Sequence, residues 1–270
     1  MNKNKTIGII GFGNMGSALG LALKENGWQV NIYDKDRRRL KKKRHIVICK
    51  DSRDLIKKSP IVIIAVKPQD ILPLLEETKN LISTCAPLII SIAAGVSTSF
   101  FERRVKGLKI IRVMPNLAAK KGQSVSFVSK GKFAKSGDLA LAKRIFTCVG
   151  SSFTIGEVFL DKATAISGSG PGYIYYFMEC LYSSAVMLGF KKDIAKKMVI
   201  LTFLGAVNLI KDENTDFSDW IQKVTSKGGT TEAALGLWEK KGLKKLIRQG
   251  VNSAYSRAKE LNTYKGGCKC

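Results

Sequence analysis

The segment Gly11-Phe12-Gly13-Asn14-Met15-Gly16 follows directly on an apolar run, Thr6-Ile7-Gly8-Ile9-Ile10. Few patterns constrain a fold as tightly. A short buried strand must turn sharply at Gly11, bare its backbone at Gly13 and pack a helix closely at Gly16. That helix is expected over residues 17–26, with Gly27 as its C-terminal cap. A second strand, 28–33, follows and ends at Asp34, an acidic residue near the offset of about 20 that such a unit calls for. Free amides at the start of the helix make an anion cradle. The unit therefore reads as a cradle for a dinucleotide pyrophosphate, and a glycine turn without a ligand explains less of the spacing.

The same alternation continues. Strands are expected at 46–49, 61–66, 88–92 and 109–113, and a short helix over 52–59 with Ser52 as its N-cap. Apolar runs of this kind imply a mostly parallel sheet covered on both faces. Ligands bind such sheets at the carboxyl ends of the strands. Gly11, Asp34, Lys67, Ala93 and Asn116 would gather on that edge. A last strand is expected around 152–155, and from 161 the periodicity is helical. The fold class is thus α/β: a Rossmann-like, doubly wound N-terminal domain over 1–156, then an all-α domain over 157–270. Helices are expected at 172–188, 193–210, 220–224 and from 232. The first is apolar nearly all round, so it should be buried.

Cofactor choice is balanced between two signals. A carboxylate at Asp34 suits the ribose hydroxyls of NAD, whereas the basic run after it, Lys35, Arg37, Arg38 and Arg39 among others, suits the 2′-phosphate of NADP. Use of both is expected, with Arg37 and Arg38 holding the phosphate. Lys41 to Arg44 read as a solvated helix face, and His45, the one histidine, as a surface residue.

With 46 basic and 21 acidic residues the formal charge is +25. Such a charge draws anionic substrates, cofactors or nucleic acid. The lysines are spread along the whole chain, and no aromatic reading surface accompanies them, so no specific nucleic-acid partner is expected. The six cysteines, at 49, 85, 148, 180, 268 and 270, form no C-x-x-C pair, and no metal is expected. They read as small buried hydrophobes of a reducing compartment, apart from the terminal Cys268 and Cys270, which follow two glycines as a frayed tail. No apolar run reaches the roughly 18 residues of a membrane span, and no secretory leader is apparent. A cytoplasmic enzyme with a small-molecule substrate fits these features.

Two clusters of small residues open helices in the second half: Ser167-Gly168-Ser169-Gly170-Pro171 and Val224-Thr225-Ser226-Lys227-Gly228-Gly229-Thr230-Thr231. The second could hold a carboxylate on backbone amides. Together with Ile9 to Gly16, Ala65-Val66-Lys67-Pro68, Ser91-Ile92-Ala93-Ala94-Gly95-Val96 and Met114-Pro115-Asn116, they make the chain resemble the pyrroline-5-carboxylate reductase family from Ile7 to about Leu261.

The resemblance implies hydride transfer from NADPH or NADH to 1-pyrroline-5-carboxylate, giving L-proline. It implies that Thr231 is catalytic, bonding the ring nitrogen, and that Ser226, Gly228, Gly229 and Thr230 bind the carboxylate. It places the cofactor on Gly11, Phe12, Gly13, Asn14, Met15, Gly16, Asp34, Lys35, Ser52, Ala65, Val66, Lys67, Pro68, Ala93 and Asn116. It further implies a homodimer built through the helical domain, and larger rings in some members. Three positions depart from the family pattern: Lys227 replaces a proline, Leu117 replaces a threonine, and Asp34 stands where a small polar residue is common. The rival enzyme reading is a dehydrogenase of the 3-hydroxyacid architecture. Those enzymes reduce a carbonyl with a lysine soon after the inter-domain glycines, and here none follows Gly170 until Lys191. A further rival is a nucleic-acid-binding protein built on the dinucleotide fold.

Overall fold

A computed structural model describes residues 5–40 and 46–262. Lys41 to Arg44, His45 and the Cys268/Cys270 tail lie outside the described residues. Among those described, eight strands form one sheet: β1 (Thr6–Ile10), β2 (Gln29–Tyr33), β3 (Ile46–Ile48), β4 (Ile61–Ile64), β5 (Leu88–Ser91), β6 (Ile110–Met114), β7 (Ser124–Lys130) and β8 (Gly150–Thr154). Their order is 3-2-1-4-5-6-7-8. The first six are parallel; β7 runs antiparallel to β6 and parallel to β8. The winding reverses between β1 and β4, and a crevice opens at their carboxyl ends.

Alternation along the strands divides the core into two layers. Ile7 and Ile9 of β1 and Ile61 and Ile63 of β4 pack on one face. They meet Leu19 and Leu23 of α1 (Asn14–Glu25), and the same cluster takes in Phe146 of α5 (Ser136–Thr147). Ile10, Val62 and Ile64 pack on the other face, with Leu55 of α2 (Ser52–Lys58), Leu75 of α3 (Ile71–Cys85) and Phe101 of α4 (Thr98–Glu102). Both faces are covered, as the unbroken apolar runs demand.

Three local expectations need correction. Helix α1 begins at Asn14, inside the glycine motif, rather than at 17. The N-cap of α2 is Asp51, which accepts the Asp54 N–H at 2.7 Å; Ser52 is buried and donates to Glu77 Oε1 at 2.7 Å. Strand β7 was not legible in the sequence. It buries Ser124 and Ser126 beside Val128 on one face and Ser129 on the other, while Val125 and Phe127 are only half-buried, so apolar and polar positions do not alternate in the usual way.

The chain is helical beyond β8: α6 (Leu160–Ala163), a π-turn over Thr164–Gly168, α7 (Gly170–Met187), α8 (Lys192–Ile210), α9 (Phe217–Lys223), α10 (Thr230–Lys240) and α11 (Leu243–Asn262). A buried ion network ties its start to the sheet. Arg112 on β6 is 3% exposed; it donates from Nη2 to Asp161 Oδ1 at 2.6 Å and lies 3.6 Å from Glu157 Oε1. Glu157 in turn accepts the Thr98 N–H and hydroxyl at 2.7 and 2.6 Å. The Asn116 amide donates to the Ser167 carbonyl within the π-turn at 3.2 Å. Packing therefore makes one compact unit of the residues up to Pro171 and the chain end from Ser253, and a second of Gly172–Asn252.

In the second unit Phe177 meets Phe203 and Trp238 edge-on, with ring centroids 6.3 and 6.0 Å apart. The expected burial of 172–188 is not achieved within one chain: Tyr176 is 74% exposed and Leu188 80%. A handful of helices has too little interior to cover a helix that is apolar on all sides. No helix among the described residues is long and apolar enough to cross a membrane.

Candidate functional site

The crevice between β1 and β4 is a cleft of about 930 Å³. The glycine motif forms its floor. Gly11 has φ +95°, and a Cβ there would sit 2.6 Å from the Ala65 carbonyl oxygen. A Cβ on Gly16 would collide with the Gly11 carbonyl oxygen, so only glycine lets α1 pack so near the turn. Gly13 is different. Around it a Cβ would meet only Arg39 Nη1, at 3.6 Å, and the backbone is open to the cleft. Gly13 also N-caps α1 without any side-chain hydrogen bond, so amides of the first turn remain available to an anion. These features fit a dinucleotide pyrophosphate.

Asp34, just past β2, is 4% exposed. Its Oδ2 accepts the Phe12 N–H at 2.6 Å and its Oδ1 the Asp36 N–H at 2.8 Å. The carboxylate thus clamps the glycine loop to the end of β2, with lone pairs left for a ribose hydroxyl. Lys35 bridges the cleft mouth to Asp70 at 2.6 Å, and that hydrogen bond and charge hold its ammonium pKa above the usual value.

The arginines after it diverge. In the three-residue turn Arg37–Arg39, neighbouring side chains point about 120° apart. Arg37 donates to the Cys49 and Lys50 carbonyls at 3.4 and 2.6 Å. Arg38 pairs with Asp36 at 2.8 Å and holds that carboxyl below its ordinary range. Arg39 lines the cleft, 3.5 Å from Asp34 Oδ2. The expectation that Arg37 and Arg38 reach the cofactor is corrected accordingly: Arg39 is the arginine of this turn that faces the cleft.

Of the other expected residues, Phe12, Asn14, Met15, Ala65, Val66 and Lys67 line the cleft. Pro68 begins the turn Pro68–Asp70 beyond Lys67, and Ser52 lies behind the wall, bonded to cleft-lining Glu77. Ala93 and Asn116 are buried after β5 and β6 and do not line the cleft. Asn116 caps the turn Leu117–Lys121, accepting the Ala118 N–H at 3.2 Å. Sequence reasoning missed Tyr33, Gln69, Asp70 and Glu77 as lining residues. For Tyr33, Gln69 and Asp70, position beside Asp34 or just after Lys67-Pro68 was the available signal; Glu77, inside α3, carried none.

In the second unit, the loop between α9 and α10 carries the other set. Gly228 has φ +71°, and its N–H donates to Glu232 Oε2 at 2.7 Å. The Gly229 N–H donates to the Ser226 carbonyl at 2.9 Å, and a Cβ on Gly229 would strike Ser226 Oγ. Gly229 N-caps α10 with no side-chain bond, so Thr230 and Thr231 stand in an open first turn. Ser226, Gly228, Gly229, Thr230 and Thr231 therefore form one compact turn of amides and hydroxyls.

A profile described as NADP oxidoreductase, coenzyme F420-dependent, matches residues 6–95, and one described as pyrroline-5-carboxylate reductase dimerisation matches residues 157–261. The pyrroline-5-carboxylate reductase of Methanosarcina acetivorans is 35% identical, over 96% of this chain and 98% of its own. The pyrroline-5-carboxylate reductase of Coxiella burnetii superposes with a TM-score of 0.86 at 32% identity, covering 95% of this chain and 98% of its own. The pyrroline carboxylate reductase of Plasmodium falciparum, solved with NADP bound, gives 0.88 at 28% identity, over 97% and 99%. Identity of 35% to a relative over nearly the whole of both chains, with the dimerisation profile across the helical part, shows that the chain belongs to the pyrroline-5-carboxylate reductase family.

Proposed function

We propose that this protein reduces 1-pyrroline-5-carboxylate to L-proline with NADPH, and also accepts NADH. The observation that carries the reading is the bare Gly13 backbone at the uncapped start of α1, open to a cleft large enough for a dinucleotide. The cofactor, when bound, supplies a hydride. The chain's own work is to hold and orient. Gly11 to Gly16 receive the pyrophosphate, Asp34 and Lys35 the adenosine ribose, and Arg39 a 2′-phosphate. Ala65, Val66, Lys67, Pro68, Ala93 and Asn116 shape the remaining wall, with Ser52 braced behind it.

The substrate is a cyclic imine bearing a carboxylate. Its ring nitrogen takes up a proton near neutral pH, so the chemistry needs no strong acid from the protein. Hydride addition at the imine carbon, which becomes C5 of proline, then neutralises the iminium, and a proton is left on nitrogen. The turn of Ser226, Gly228, Gly229 and Thr230 receives the carboxylate, with the Ser226 and Thr230 hydroxyls as donors and the two glycines giving the turn its shape, while the Thr231 hydroxyl fixes the ring nitrogen. This division assigns residues 1–156 to the dinucleotide and 157–270 to substrate and dimer formation. The dimerisation match beginning at 157 supports that boundary, although packing carries the first unit on to Pro171. A cytoplasmic homodimer, able to build larger rings, follows from the same reading.

The test is oxidation of NADPH and NADH followed at 1-pyrroline-5-carboxylate saturation. Thr231→Ala should lower kcat by an order of magnitude or more, with little change in cofactor affinity. Unchanged turnover would remove Thr231 from the mechanism, and no turnover by the unaltered protein would reject the function.

A further inference from the structure

One cation beside the glycine loop comes from a segment far away in sequence. The turn Leu117–Lys121 follows β6, and from it Lys120 reaches the start of α1. Its ammonium donates to Asn14 Oδ1 at 2.9 Å, across 106 residues of chain. Asn14 is the first residue of α1 and lines the cleft. Two of the other cations that line the cleft are engaged with carboxylates: Lys35 pairs with Asp70, and Arg39 with Asp34 and Asp36. Among the described residues, no carboxylate pairs with Lys120.

That placement is electrostatically unfavourable on its own. The N-terminus of a helix carries partial positive charge from its unpaired amides, and a cation there is repelled. No acidic residue in the first turn of α1 offsets it. A neutral amide oxygen steers the ammonium but does not neutralise it. An anion at the same spot would satisfy both the amides and the lysine.

We propose that Lys120 is a cofactor-positioning residue whose ammonium pairs with the pyrophosphate of the bound dinucleotide, with Asn14 holding it ready. The inference rests on the dinucleotide reading of the first loop and deepens it. Because the pyrophosphate is common to both cofactors, Lys120 acts alike on NADPH and NADH. Arg39, as the partner of the 2′-phosphate, acts more strongly on NADPH than on NADH. The two residues therefore leave different signatures.

The experiment is titration of the substrate-free protein with NADPH and with NADH, read by fluorescence of the bound nicotinamide, at several salt concentrations. Lys120→Ala should raise Kd for both cofactors by a similar factor, about tenfold, and make Kd less sensitive to salt. Lys120→Arg should restore most of the affinity. The melting temperature of the cofactor-free protein should not fall, since the substitution relieves repulsion. Two results overturn the assignment: Kd values within twofold of the unaltered protein, or weakening confined to NADPH. A fall in melting temperature with the same loss of affinity in Lys120→Arg would make Lys120 a brace for its turn instead. If the unaltered protein binds neither cofactor, the dinucleotide reading itself fails, and the role of Lys120 with it.

Discussion

Asp34 and Arg39 divide the adenosine end of the cleft between them. Asp34 is spent on two backbone amides, and its negative charge is partly offset by the Arg39 guanidinium at 3.5 Å. That lowers the penalty a buried carboxylate would impose on a 2′-phosphate and leaves the arginine half-exposed to receive it. Arg39→Ala should therefore raise the KM for NADPH at least tenfold while changing that for NADH less than threefold, read from initial rates with each cofactor. Arg37→Ala and Arg38→Ala should leave the ratio unaltered, because their side chains are bound elsewhere. The glycines of this region were legible in the sequence, since their roles follow from backbone geometry that no other residue allows. The choice among three consecutive arginines was not. It depends on the direction each side chain takes from a short turn, and composition holds no record of that.

Elements were readable wherever burial on both faces wrote a run of isoleucine and valine, as in β1, β4 and β6. β7 escaped because two of its buried positions are Ser124 and Ser126, which bond to each other and, through Ser124, to the Asn116 backbone, leaving Val128 alone to add apolar area on that face. The join between sheet and helices escaped for a related reason: a charge network, not a hydrophobic stripe, makes it. Arg112 is 49 residues from Asp161 in sequence, and no local pattern pairs them. The network is open to a direct check. Arg112→Ala removes the buried guanidinium that faces both Asp161 and Glu157 and should cost about 3–5 kcal/mol, seen as a lower midpoint in urea unfolding. The Asn116–Ser167 bond should loosen with it, so kcat should drop even at temperatures where the protein stays folded. A midpoint within about 0.5 kcal/mol of the original would mean that water satisfies the pair after all.

At the scale of the molecule, the second unit is the part that one chain leaves unfinished. Its longest helices carry apolar residues on every side, and Tyr176 and Leu201 remain 74% and 64% exposed. The dimerisation match spans this unit. Tyr176→Glu together with Leu201→Glu should convert the assembly to monomers in sedimentation velocity, with loss of activity and an intact cofactor Kd. A dimer that survives both charges would place the interface elsewhere. The charge of +25 acts over the same scale, and the KM for either cofactor should climb as ionic strength screens it. The bare helical face also has a consequence in time. A newly made chain can wind up its sheet alone, but the exposed face must wait for a second copy. Renaturation should therefore be biphasic, with a fast step independent of protein concentration and a slow one that accelerates as chains become more abundant. In concentrated samples, aggregation through that greasy face competes with productive pairing.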